Sequence, residues 1–303
     1  MNSSSERRNG VLAIDCGGTK ISGAIVDSTF EVLKHEIVPS RESVDGIADP
    51  QLLITKTLIS SLLSYADENA ISLVGAAAGF PEYVNLSGLL TTRENIDWPE
   101  QPKEDFSRLT GFAWVIESDV RCAGLAEARF GAGKELQDFV YITISSGISH
   151  THFVDGSAIT GDEGEAIGFG VMDIEVSDKT FTLENYSSGL GIARRYGQIS
   201  GDYSLNAKDI FARFDSDAMA REIIETAAQV LGTEIAAFAH SLPTDVIVIG
   251  GGLWLGSQKY QGLVFSAFTI ACQSMRISPQ ILNAEVEHSG VIGAAIYAFS
   301  KSF

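Results

Sequence analysis

Asp15 ends an apolar run, Val11-Leu12-Ala13-Ile14, and is followed by Cys16-Gly17-Gly18-Thr19-Lys20. A carboxylate at a strand end can hold a hydrated magnesium ion, and a glycine turn lets backbone N–H groups face phosphate oxygens. The chemistry indicated is the handling of a nucleotide triphosphate. The same residues also read as a plain β-hairpin with a glycine turn. They are not a P-loop, because no G-x-x-x-x-G-K-[ST] occurs, and not a dinucleotide fingerprint, because a second β-type run follows the glycines. Other places could join this chemistry. Asp119 stands between a strand and a helix, where a carboxylate can serve as a base or as a helix cap. Ser145-Ser146-Gly147 separates two β-type runs. Gly250-Gly251-Gly252 follows a buried strand, where glycines let a flat ligand approach the backbone or simply form a turn.

These residues need elements to position them. The pattern predicts β-type runs over 11–15, 21–27 and 31–37. A helix over 49–65 carries Leu52, Leu53, Thr57, Leu58 and Leu62 on a repeating face. An apolar strand over 73–78 ends at Gly79-Phe80-Pro81. Residues 82–108 read as loop, with Asn85, Gly88, Asn95 and Pro99. A strand over 112–117 precedes Asp119 and a helix over 120–130, which Gly131-Ala132-Gly133 ends. The second half opens on a β-prone run over 139–144, meets the serine-glycine turn, and continues in a run over 150–154. Strand, glycine turn, strand thus occurs twice, which suggests an internally duplicated fold. A long helix over 218–240 places Ile223, Ala227, Val230, Ile235 and Phe238 on one face. A strand over 245–249 and a last helix over 291–300 follow.

Composition narrows the function classes. At 303 residues the chain can bury a full core, as two domains. Its formal net charge of -18 speaks against nucleic acid and anionic membranes as partners, since both demand basic patches. Residues 1–10 are polar and lack the apolar core of a signal peptide. No apolar run approaches the length of a membrane span. Cys16, Cys122 and Cys272 are odd in number and far apart, which fits a reducing cytoplasm.

Six motifs in order resemble the ROK family (repressor, open reading frame, kinase) of sugar kinases, in the hexokinase and actin superfamily. They are Asp15-Cys16-Gly17-Gly18-Thr19-Lys20, Gly79-Phe80-Pro81, Glu117-Ser118-Asp119, Ala126-Glu127-Ala128-Arg129-Phe130-Gly131-Ala132-Gly133, Gly250-Gly251-Gly252 and Gly293-Ala294-Ala295. The resemblance covers residues 10–300. It implies an α/β, two-lobed, actin/hexokinase-like (ribonuclease H-like) fold, each lobe a mixed sheet flanked by helices, with a cleft between. The expected lobes are residues 1–116 plus 290–303, and 117–289. The implied activity is phosphoryl transfer from ATP, with Mg²⁺, to a sugar hydroxyl. Asp119 falls at the catalytic-base position. Asp15 would orient the metal. Gly17, Gly18 and Thr19 would line the phosphates, with Lys20 in the same turn or simply at the surface. Ser146 and Gly147 would form a second phosphate turn, and Gly250, Gly251 and Gly252 would lie against the adenosine. Gly79, Pro81, Ser118, Asp119 and Glu184 fall at the acceptor.

The departures from the family are as informative. Its second phosphate turn reads G-T-G-x-G-G-G, and here the place reads Ser145-Ser146-Gly147-Ile148-Ser149-His150-Thr151. His150 and His152 share a strand face and read as ordinary strand residues in preference to a ligand pair. The acceptor motif G-x-x-G-x-A-G-E-x-G-H has Gly168 in place of its Glu and Val171 in place of its His. Glu165 is the nearest acid that could substitute. The family's zinc motif, C-x-C-G-x-x-G-C, is missing, since no cysteine lies between Cys122 and Cys272, so no structural zinc is expected. No helix-turn-helix pattern precedes residue 10, which weighs against the repressor branch.

The expectation is therefore a cytoplasmic kinase, a homo-oligomer and specifically a dimer, whose acceptor is a small sugar or cyclitol, not plain glucose. The alternative is a family member that binds nucleotide or sugar and regulates without turnover.

Overall fold

Of the chain, the structure, a computed structural model, describes residues 8–40, 50–96, 98, 101–242 and 244–300. The expected polar tail before residue 8, position 49 of the first expected helix, and Pro99 lie outside them. Contacts divide the chain into two units. One holds Met1–Gly131, Thr160–Glu165 and Val286–Phe303, and the other holds Ala132–Ile159 and Ala166–Glu285.

The elements begin with β1 (Arg8–Cys16), β2 (Lys20–Asp27), β3 (Val32–Pro39), α1 (Pro50–Glu68), β4 (Ile71–Phe80), α2 (Pro102–Thr110), β5 (Trp114–Ser118) and α3 (Asp119–Phe130). Next come β6 (Phe139–Ile144), β7 (Ile148–Val154), β8 (Ser157–Ala158), β9 (Asp173–Val176), β10 (Lys179–Thr182), α4 (Leu183–Ser187), α5 (Gly189–Ser200), α6 (Ala207–Ala212) and α7 (Ala218–Ser241). The chain then forms β11 (Val246–Gly250), α8 (Gly252–Gly256), α9 (Gln258–Met275), β12 (Gln280–Asn283) and α10 (Ser289–Ser300).

The two main sheets share one topology. The first runs β3-β2-β1-β4-β5, and the second runs β8-β7-β6-β11-β12. In each, three strands form an antiparallel meander and two more extend it in parallel. The strand–turn–strand motif seen twice in the sequence is the start of each copy.

In the first unit, β1 is buried on both faces, which is why it reads as an unbroken apolar run. Leu12 and Ile14 face α1, through Leu58 and Leu62, with Phe80, Phe106 and Trp114 beside them. Val11 and Ala13 face the other way, with Ala24 and Ala77, toward α3 and α10. Small residues on that face let the helices sit close. A Cβ on Gly293 of α10 would lie 1.8 Å from the Cys122 carbonyl oxygen of α3. This packing puts α3 in the first unit, so the contacts divide after Gly131 and not at the expected residue 117. In the second unit, α7 and α9 share a core with α4, α5 and the sheet, and the face expected on α7 is buried through Ile223, Ala227 and Ile235.

One helix lies where a loop is expected. Within 82–108, α2 starts with Pro102 at its first turn, carries Glu104 and Asp105 at its N-terminal end, and ends at Gly111 with φ 78°. Its deep anchor is Phe106, too little apolar periodicity to read from sequence.

Candidate active site

Two carboxylates come together at strand ends of the first unit. Asp15 is near the end of β1 and pairs in register with Ser22 of β2 and Gly79 of β4. Asp119 begins α3, directly after β5. Gly79 makes the approach possible, because a Cβ there would lie 3.1 Å from the Asp119 Cα and 3.3 Å from the Cys122 sulfur. Burial pushes the Asp119 carboxyl up to about 8, and repulsion from Asp15 and Glu82 adds to it, against the Val120 N–H and Arg121. Burial pushes Asp15 up to about 6, opposed by Lys20.

Asp119 is not the helix cap. The cap position is Ser118, which makes no side-chain capping bond, and Asp119 Oδ1 accepts the Val120 N–H at 2.6 Å. Among the described residues, the Ser118 hydroxyl is buried without a hydrogen-bond partner. Glu117 braces this corner. Its Oε1 accepts the Ser118 N–H at 2.7 Å and Arg121 Nε at 2.6 Å.

The glycine turn after β1 is well formed. A Cβ on Gly17 would lie 2.8 Å from the Lys20 carbonyl oxygen, so the turn requires glycine there. Gly18, Thr19 and Lys20 are exposed. Ser40 holds the turn from below: its hydroxyl donates to the Gly18 carbonyl at 2.7 Å and its N–H to the Thr19 carbonyl at 3.1 Å. Pro81 contributes its carbonyl, which accepts from Asn95 Nδ2 at 2.7 Å.

Glu165 is engaged within its own turn. Its Oε2 accepts the Glu163 N–H at 2.9 Å, and its carboxylate lies against Gly161. It belongs to the first unit, as do Asp15, Gly17, Gly18, Thr19, Lys20, Gly79, Pro81, Ser118 and Asp119.

The second unit holds Ser146, Gly147, Glu184, Gly250, Gly251 and Gly252. At its serine-glycine turn, the Ser145 N–H donates to the Gly147 carbonyl at 2.8 Å. Glu184 Oε2 accepts the Ile148 N–H at 2.7 Å. The start of α5 docks on the same turn, with the Leu190 N–H donating to the Ser146 carbonyl at 3.1 Å. After β11, Gly251 has φ 93°, and a Cβ there would lie 2.4 Å from the Ile144 carbonyl oxygen. A Cβ on Gly250 would meet the Tyr141 hydroxyl at 2.5 Å, while Gly252 is open. Packing therefore accounts for the first two glycines of that run. Val171 is half exposed, in a 3-10 turn over Gly168–Val171. His150 is a core residue: its Nδ1 accepts the Phe169 N–H at 3.1 Å, and burial pushes it down to about 4. Among the described residues, no group of three or more His, Cys, Asp or Glu side chains is arranged to hold a metal ion.

Sequence reasoning misses Glu82, Arg121 and Ser40. Glu82 is buried and accepts from the Thr92 hydroxyl at 2.6 Å and from the N–H groups of Glu94, Asn95 and Ile96. The available signal for Arg121 was its i,i+4 spacing from Glu117 inside an otherwise apolar helix start.

The model of the ROK family matches residues 11–301. This chain belongs to the ROK family. The ROK chain is 29% identical over 268 residues to a glucokinase of Halalkalibacterium halodurans, covering 80% of each. It is 28% identical over 300 residues to an N-acetylmannosamine kinase of Escherichia fergusonii, covering 95% of this chain and 97% of that one. Its fold matches a ROK family glucokinase from Streptomyces griseus, in complex with glucose and AMPPNP, with a TM-score of 0.77 at 23% identity, over 96% and 99% of the two chains. The architecture of two mixed sheets flanked by helices is thus the actin-like fold of ROK hexokinases. No helix among the described residues is long and apolar enough to cross a membrane.

Proposed function

We propose that this ROK chain is an ATP-dependent kinase that phosphorylates a hydroxyl of a sugar or sugar-like polyol. The observation that carries the reading is the pair Asp15 and Asp119, brought together at strand ends and both held above the ordinary carboxylate range. Asp119 is the general base. Its carboxylate takes the acceptor's hydroxyl proton as that oxygen bonds to the γ-phosphorus. The bond from the γ-phosphorus to its bridging oxygen breaks, and ADP leaves. A base with a raised affinity for protons removes one more effectively, provided it starts ionised.

Among the described residues, no hydrogen-bond donor reaches the Asp15 carboxylate, so its hard oxygens are available to Mg²⁺, which they fit. Bound there, the ion would supply positive charge against the phosphates. The turn at Gly17, Gly18 and Thr19 would line those phosphates, and Gly250, Gly251 and Gly252 the adenosine.

The acceptor is a less hydroxylated or cyclitol-like molecule. Gly168 and Val171 offer a hydrogen and an apolar surface where grips on sugar hydroxyls are expected, and Glu165 is committed to its own turn. The working assembly is a dimer in the cytoplasm, without a structural zinc. A panel of sugars and cyclitols with Mg-ATP, read by product mass, tests the reading. Failure to phosphorylate any of them would overturn it. A regulator without turnover is the second reading, and the Glu184 carboxylate under the second phosphate turn favours it. Binding of Mg-ATP and sugar with no product would establish it.

A further inference from the structure

Arg121 is fully buried, and no step of the proton transfer uses it. A buried guanidinium is costly unless it is paired and its N–H groups are bonded. Here Nε donates to Glu117, Nη1 to the Gly164 carbonyl at 3.2 Å, and Nη2 to the Val84 carbonyl. The two carbonyls belong to residues 43 and 37 positions away in the chain. An apolar residue would pack α3 as well, so what the charge adds is the three-way bond.

The Gly164 carbonyl lies in a short segment, Thr160–Glu165, that belongs to the first unit although the chain on both sides of it belongs to the second. Two more contacts hold it. The Thr91 hydroxyl donates to the Glu163 carbonyl. Gly164, at φ 85°, lies flush on Val84, where a Cβ would come 2.4 Å from the Val84 carbonyl oxygen. This segment leads directly into residues 166–171, where the expected polar grips are missing.

We propose that Arg121 is a positioning residue for the acceptor. It fixes the Thr160–Glu165 segment to the helix that carries Asp119, so that the held shape of that segment, and not a pair of polar grips, selects what is phosphorylated. The inference rests on Asp119 being the base. Arg121 and Asp119 are two residues apart on one helix, so a segment anchored to the first keeps a fixed register to the second.

Two variants test this. Arg121→Lys keeps the charge and can pair with Glu117, but a single ammonium cannot reproduce the planar fork that reaches both carbonyls. Thr91→Val removes the second tether from an exposed position and puts no buried charge at risk. The acceptors are glucose, N-acetylglucosamine, N-acetylmannosamine, cellobiose and myo-inositol, with Mg-ATP as donor. Each variant should raise KM for the best acceptor about tenfold, change KM for ATP less than about twofold, lower kcat less than KM rises, and narrow the spread between acceptors. In the ligand-free protein, proteolytic cleavage within residues 160–165 should quicken about tenfold, with α3 left intact. Acceptor KM values within about twofold of the parent, or an equal rise in KM for ATP, would overturn the inference. If the parent phosphorylates none of the five, the kinase reading falls, and proteolysis decides: an unchanged cleavage rate within 160–165 in both variants sinks the role of Arg121. Should Arg121→Lys fail to fold, Thr91→Val carries the test alone.

Discussion

Glu184 and Gly147 are in intimate contact. The Glu184 oxygen that accepts the Ile148 N–H lies 2.5 Å from the position a Cβ on Gly147 would take. The one glycine retained in the serine-glycine turn between β6 and β7 is thus the one the carboxylate beneath it requires. Glu184 matches an acceptor-binding position by sequence, yet its Oε2 also accepts the Ile148 N–H of the turn. Glu184→Ala should therefore weaken Mg-ATP binding as well as acceptor binding, by about fivefold to tenfold, because it leaves a backbone donor without its partner. Glu184→Gln, whose amide oxygen can still accept, should weaken it far less. Calorimetry of the two variants separates a brace from a pure acceptor ligand, for which nucleotide affinity would not move.

Asp119→Asn should lower turnover at least about a thousandfold while the fold persists, since it removes the proton acceptor and keeps the shape. Retention of most turnover with the best acceptor would remove Asp119 from the role of base.

The same substitution should stabilise the protein in alkaline solution. Asp119 is raised from 3.8 to about 8 on folding. Between those values the folded chain binds more protons than the unfolded one, so stability falls as pH rises from about 4 to about 8. Asn cannot ionise and escapes that loss. The melting temperature of Asp119→Asn should exceed the parent's by a few degrees at pH 8.5 and match it near pH 4. Equal differences at both pH values would contradict the raised carboxyl.

Activity should depend on pH in the opposite sense. The ligand-free base must lose its proton to work, so kcat/KM should climb with pH and level off above about 8. A plateau already reached at pH 5 would mean that the base titrates as an ordinary carboxylate.

Donor binding should depend on Asp15. Mg-ATP should bind detectably, and Asp15→Ala should weaken it about tenfold or more, while ATP without magnesium should discriminate little between the two proteins. No binding at millimolar nucleotide would show that the turn at Gly17 serves another purpose.

The parts of this molecule that are legible in the sequence are those decided locally. β1 announces itself because both its faces are buried, and the two glycine turns because β-type runs flank them. Asp15 and Asp119 could be picked out for the same reason, each standing at the end of its own apolar run. Arg121 and Glu82 could not. Their meaning lies in carbonyls and N–H groups that only the folded chain brings to them, as Gly164 is brought to Arg121 from 43 residues away. Glu165 shows the converse, since an acid at a plausible position is consumed by the N–H of Glu163, two residues before it. α2 was hidden because its single deep anchor, Phe106, gives no period to read.

The closure of the first unit's sheet by α10 sets an order of events during synthesis. Val11, Ala13, Ala24 and Ala77 leave the ribosome well before α10, residues 289–300, which packs on them beside α3. The second unit has all its strands and helices available before that helix appears. Until α10 is made, this small-sided, apolar sheet face has only α3 packed on it, so the first unit completes its core after the second unit has been synthesised.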